Sequence, residues 1–220
     1  MNLFPLTNSL RVALIATAVT FFTGLAVSYY VRNAPRLVRG ALDVILTLPL
    51  VLPPTVIGFF LLKLLGPRAP VGRFFDGTFG VRLVMRWYSA IFASVVVAFP
   101  LMYRTSRGAF QAFDNDLRAA GQTLGLSNTY IFWRITLPNC KQGIVAGTIL
   151  AFARALGEYG ATSMVAGFTA NKTATISTTV YHLWQTGDDA HAYMWVAVNV
   201  AISCVVLVAL NYFESRAKRV

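Results

Sequence analysis

A chain of 220 residues has room for one compact domain, yet 56% of it is hydrophobic and 12% charged, too little polar surface for a water-soluble fold. The net charge of +11 would suit nucleic acid in a soluble domain. Here the basic residues flank apolar stretches and act on lipid headgroups, so a nucleic-acid partner is excluded.

The first apolar window, Leu10 to Val31, carries no charge after Arg11 and ends at Arg32, Arg36 and Arg39. It exceeds the 7–15-residue core of a cleavable signal, and Met1 to Leu10 lacks a positive charge, so it is read as a retained span. The second window, Ala41 to Leu65, opens near Asp43 and contains Pro49, Pro53 and Pro54. Each proline removes a backbone donor, so this helix is expected to bend or break, with the freed carbonyls facing protein or a water-filled path.

Gly66 to Tyr88 is rich in turn formers and basic through Arg68, Arg73, Arg82 and Arg86, with a short amphipathic piece expected over Val81 to Trp87. The third window, Ser89 to Tyr103, ends at Arg104 and Arg107. A polar loop over 108–143 follows, and then a fourth window, Ile144 to Phe168, which holds a strong base and a strong acid, Arg154 and Glu158, in its interior. A Thr-rich connection with a short helix around Ser177 to Gln185 leads to the fifth window, Met194 to Phe213. Windows of this length span about 30 Å of hydrocarbon as helices, which predicts an all-α integral membrane protein of about five transmembrane helices forming a single domain over 1–220.

Five spans place the termini on opposite sides. With the polar loop inside, eleven Lys/Arg lie inside (Arg32, Arg36, Arg39, Arg104, Arg107, Arg118, Arg134, Lys141, Arg216, Lys218, Arg219) against seven outside (Arg11, Lys63, Arg68, Arg73, Arg82, Arg86, Lys172). The excess predicts an external N-terminus and a cytoplasmic C-terminus. Cys140 and Cys204 lack disulfide or metal spacing, and His182 and His191 lie apart in a polar segment, so no metal site is expected.

Within the polar loop, Asp114 or Asp116 can cap a helix through Ala120, Gly125 supplies a left-handed stop, and Ser127 can cap a second helix over Asn128 to Ile135, ended by Leu137 and Pro138. Tyr130 and Trp133 on that helix make a knob that either fills a groove in another protein or lies on lipid. In the fourth window, Arg154 and Glu158 are four apart and can pair on one helical face. An intramembrane pair either borders a path or gate or locks two helices together. Gly157 and Gly160 allow close helix approach, and Pro53 and Pro54 can shape a gate or a plain kink.

Gly125, Ile135, Leu137 and Pro138 have the spacing of the loop motif of bacterial ABC importer permeases, a Glu-Ala-Ala followed by a Gly and closing on Ile-x-Leu-Pro. The triplet falls on Ala119, Ala120 and Gly121, so no carboxylate stands where relatives place one. LPLVLPPTVIGFFLLKLLG, FARALGEYGAT and TATISTTVY narrow the resemblance, over Thr47 to Tyr181, to the permease subunit of molybdate importers.

The resemblance implies a coupling helix formed by Ala119, Ala120, Gly121, Gly125, Leu126, Ser127, Tyr130, Trp133, Leu137 and Pro138. It implies a second copy of the permease, a cytoplasmic ATPase dimer and an extracytoplasmic oxyanion-binding protein as partners. No cofactor is expected on this chain. ATP and Mg belong to the ATPase, in keeping with the absence of GxxxxGK[ST] here. Tungstate or sulfate as cargo, a membrane anchor or sensor that recruits a cytoplasmic protein without transport, and an ion-coupled secondary transporter remain the alternatives.

Overall fold

The computed structural model describes residues 2–32 and 34–217, and side chains through Tyr212. Lys218 and Arg219, read above as part of the last basic flank, lie outside the described residues. The described residues form helices and no strand.

Helix α1 (Phe4–Arg32) presents a stripe of small buried residues, Ala13, Ala16, Thr20, Gly24 and Ser28, at helical spacing. Small side chains let backbones approach closely in a membrane protein, and a Cβ on Gly24 would stand 2.9 Å from Met102 Cγ on α5 (Ser89–Ala112). The hydroxyls on this face are satisfied within the helix, Thr20 donating to the Ala16 carbonyl at 2.8 Å and Ser28 to Leu25 at 2.9 Å. Helix α5 is the centre of the molecule, with Ala90, Ala93, Ala98, Met102, Tyr103 and Phe110 inaccessible to solvent. It runs nine residues beyond the expected window, to Ala112.

The second window is two helices, α2 (Arg36–Val51) and α3 (Pro54–Leu65), bent by 110° where Leu52 and Pro53 are extended. Pro54 sits in the first turn of α3, where its missing N–H costs nothing. In the following loop the helix is α4 (Pro70–Phe79), closed by Gly80 at φ 63°, not the expected Val81 to Trp87. Residues 82–89 are held as turns instead: Met85 N–H donates to Val165 O at 2.8 Å, Tyr88 Oη to Arg82 O at 2.6 Å and Ser89 Oγ to Leu83 O at 2.8 Å. Those bonds satisfy backbone groups that a helix would need for itself.

The polar loop folds as α6 (Asn115–Thr123), α7 (Asn128–Ile131), a π-helical turn (Phe132–Thr136) and α8 (Leu137–Asn139). The fourth window is also divided, into α9 (Lys141–Leu156) and α10 (Gly160–Val165). Helix α11 (Ile176–Gln185) matches the expected short helix and opens on a capping box made by Thr175 and Thr178. Helix α12 (Asp189–Ala217) is buried over only 6% of its apolar window, so its surface faces outward. Among the described residues three helices (α1, α5 and the Asp189–Tyr212 part of α12) are long and apolar enough to cross a membrane, with the bent α2–α3 pair as a fourth, broken crossing.

Candidate functional site

The loop is built by local capping. Asp114 Oδ1 accepts from Asp116 N–H at 2.9 Å to open α6, and Ser127 Oγ accepts from Tyr130 N–H at 3.2 Å to open α7. Gly125 takes φ 75°, a conformation that costs other residues about 1 kcal/mol or more. These three positions match the expectation from sequence.

The expected stop at Leu137 and Pro138 does not occur. The Leu137 N–H bonds five residues back to Phe132 O, and the wider π turn lets the chain stay helical through Pro138 to Asn139. A proline ring otherwise collides with the carbonyl four residues earlier, and the π turn relieves that collision.

The two halves of the loop close on each other at Gly121, where a Cβ would meet Ile131 and Ile135 at 3.2 to 3.4 Å. Ala119 and Ala120 remain exposed beside it, Leu126 and Leu137 are half-buried, and Pro138 is exposed. Leu117, Leu124, Tyr130 and Trp133 stand out at 45, 78, 48 and 59% exposure. Such a set of apolar side chains on a polar loop marks a surface that another body covers.

Behind it Phe132 packs edge-on to Tyr29 of α1, and Arg32 Nη2 donates to Asn115 Oδ1 at 2.5 Å, so α1 and the loop are joined at this end of the molecule. Cys140 is buried here, and burial raises its thiol pKa against the pull of Arg32, which keeps the thiol unreactive.

The second constellation lies at the break after α9. Helix α9 starts beside the loop and rises about 24 Å over its 16 residues, so the break is on the far side of the bundle from the loop. Gly157 ends the helix, and Glu158 is no longer on a continuous helical face with Arg154 as the spacing suggested. The two pair nonetheless. Glu158 Oε2 lies 2.6 Å from Arg154 Nη1, in ionic contact but off the line of a hydrogen bond.

The other carboxylate oxygen accepts from Ala161 N–H at 2.8 Å and so caps α10. Glu158 is 3% exposed, whereas the Arg154 side chain is 31% exposed. The acid is therefore anchored at a positive helix start, and the guanidinium reaches toward open space.

The two broken helices meet. A Cβ on Gly160 would stand 2.9 Å from Pro54 Cβ, and one on Gly58 2.9 Å from Ala161 Cα. Gly160 thus packs within the chain against the proline break, while Gly157 touches no neighbouring element. Pro54 is half-buried in this contact and Pro53 is exposed.

Sequence reasoning missed one cluster. Asp43 of α2 pairs with Arg107 of α5 and accepts from Tyr103 Oη at 2.5 Å. No residue of α2, Asp43 included, is fully buried, so this pair is the main polar tie between α2 and the core. The partners are sixty and more residues apart, and neither local spacing nor composition joins them. The only available signal was an acid near the start of one predicted span and a base in the flank of another.

The geometry describes a bundle of apolar helices with an exposed apolar knob at one end and paired helix breaks toward the other. From residue 13 to 219 the chain matches the family described as the inner membrane component of binding-protein-dependent transport systems. The chain belongs to that family.

Among curated relatives, the molybdenum transport system permease protein ModB of Escherichia coli (strain K12) is 36% identical over 200 residues, covering 90% of this chain and 87% of its own. The ModB of Haemophilus influenzae is 36% identical over 176 residues, 80% of this chain and 77% of its own. The fold is shared with solved transporters. A chain of the MetNI methionine ABC transporter in inward-facing conformations superposes with a TM-score of 0.73 at 14% identity, covering 96% of this chain and 94% of its own. One of a bacterial alginate ABC transporter in complex with a pentasaccharide-bound periplasmic protein gives 0.76 at 17%, covering 98% and 78%. A multi-pass permease of the inner membrane is therefore the fold and family to which each site residue belongs.

Proposed function

We propose that this chain is the membrane half of an ATP-driven importer, in which two copies enclose a path for a tetrahedral oxyanion, molybdate, delivered by an extracytoplasmic binding protein. Substrate chemistry is absent from the scheme, and ATP with Mg is bound and hydrolysed by a separate cytoplasmic ATPase dimer. The observation that carries the reading is the knob of Leu117, Leu124, Tyr130 and Trp133, whose exposed apolar area on a capped polar loop suits a partner's groove.

In this scheme the loop is cytoplasmic and the N-terminus outside. Movement of the docked loop passes into α5 and α9, which flank it, and so to the break at Glu158. Arg154 offers a dianion a guanidinium while Glu158 fixes where that charge stands. Only contacts that differ between two states shift their balance, and the proline bend between α2 and α3 supplies a segment able to take two arrangements.

Proteoliposomes holding the chain, its ATPase and the binding protein test the scheme. They should accumulate molybdate on ATP addition, and Trp133→Asp should abolish both accumulation and ATPase attachment. Arg154→Lys and Glu158→Gln at equal abundance should slow uptake while the ATPase stays attached. Accumulation driven by an ion gradient without ATP, or full transport by Trp133→Asp, would refute it.

A further inference from the structure

One feature unused by this scheme is a cavity of about 520 Å³ at the end of the bundle opposite the loop. Its walls come from three segments remote in sequence: the first turns of α1, residues 85–87 and residues 169–173. Each contributes a cation, Arg11, Arg86 and Lys172, and none of the three has a carboxylate within 4 Å among the described residues. No acidic residue lines the cavity.

The walls are fixed in ways that an idle surface loop is not. Met85 at φ 57° and Asn171 at φ 60° are the two non-glycine residues with positive φ among the described residues, and both line this cavity. Strained backbone of this kind persists where the surroundings hold it, and it clusters at binding sites. Asn8, 4% exposed, donates its side-chain amide to Thr173 O at 3.3 Å and Ala174 O at 2.9 Å, and Thr173 Oγ1 accepts from Thr169 N–H at 2.9 Å.

The Arg11 guanidinium lies 3.6 Å over the ring of Trp87. That contact orients the charge without neutralising it.

We propose that this cavity is a binding site for a tetrahedral, multiply charged oxygen anion. Arg11 and Arg86 would supply planar donor forks, and Lys172 a third charge. Two sources share that chemistry, a free oxyanion at the mouth of the path and the phosphate of a lipid headgroup. The first rests on the importer reading for its cargo. The site itself does not.

The test is equilibrium binding of molybdate to the full chain in nanodiscs of neutral phosphatidylcholine, without ATPase or binding protein. Saturable binding is expected, weakened roughly tenfold by Arg11→Gln and by Lys172→Gln, since one charged hydrogen-bonding contact is worth about 1.5 kcal/mol or more. Trp87→Leu, which keeps the charge but removes its support, should weaken binding a few-fold. Lys63→Gln, outside the cavity, should change nothing.

In a second arm, phosphatidylglycerol retained through purification is measured by native mass spectrometry. If a lipid phosphate is the occupant, retention falls in Arg11→Gln and Lys172→Gln, and added phosphatidylglycerol displaces molybdate from the unaltered chain. The proposal is overturned if neither molybdate binding nor lipid retention depends on Arg11 and Lys172. Because nucleotide and uptake do not enter, that failure would leave the importer reading standing.

Discussion

The polar loop and the α9–α10 break both interrupt helices, and they resolve the interruption in opposite directions. In the loop, short neutral or exposed caps, Asp114 and Ser127, close each helix locally, and the large side chains Leu124, Tyr130 and Trp133 turn outward. At the break the cap is a buried carboxylate, Glu158, which holds the start of α10 and a guanidinium at once. A side chain facing outward is free to serve a partner. One facing inward is committed to the fold, so in the proposed scheme only its half-buried partner Arg154 is left to meet an ion.

The contrast makes a first, large prediction. Glu158→Ala should cost about 3–5 kcal/mol, because it strands Arg154 and uncaps Ala161 together. The midpoint of thermal unfolding in detergent would report it, and Glu158→Gln should lose distinctly less because it keeps an acceptor for the Ala161 N–H. Equal losses would show that the charge, not the cap, carries the effect.

Next come the contacts between the two broken helices. Gly58→Ala and Gly160→Ala should each cost about 1–3 kcal/mol by overpacking, since a methyl would fall within 3 Å of Ala161 or Pro54. Gly157→Ala, at the same break but with only an ordinary 3.6 Å contact to the Ala153 carbonyl, should cost less than either; an equal loss would mean that backbone freedom, not packing, governs the break. Asp43→Asn should loosen α2 by about 1–3 kcal/mol through the unpaired Arg107. Proteolysis within 36–51 would rise selectively if α2 is tied to α5 by that pair.

The smallest stability effects belong to the loop. Ser127→Ala removes one cap, worth about 1 kcal/mol, and Trp133→Ala should change the unfolding midpoint by no more than a surface substitution does, about 0.5 kcal/mol. Should Trp133→Ala unfold the protein, the outward-facing account of the loop would be wrong.

The same contrast explains what could be read from the sequence. Caps and turns depend on residues a few positions apart, so Asp114, Gly125 and Ser127 were legible, as was the proline break, where the missing donors are written in the chain. The long uninterrupted helices were legible from hydropathy. The break at Gly157 was not, because no proline marks it and an Arg/Glu pair at i,i+4 reads equally well as continuous helix. The π turn that carries the chain through Pro138 depends on a carbonyl five residues back, and the expected 81–87 helix gives way to turns held in part by the Met85 N–H bond to Val165 O across the fold. Asp43 with Arg107, and the cations around the cavity at the end opposite the loop, are brought together by topology alone.

The most direct measurement of the central claim is co-purification of the chain with its ATPase after Leu124, Tyr130 and Trp133 are each changed to Asp, with the unfolding midpoint recorded on the same samples. A midpoint within a degree or two of the unaltered chain, together with loss of the ATPase and of ATP-driven uptake, is the predicted result. Stoichiometric ATPase and undiminished uptake with all three changed would contradict it.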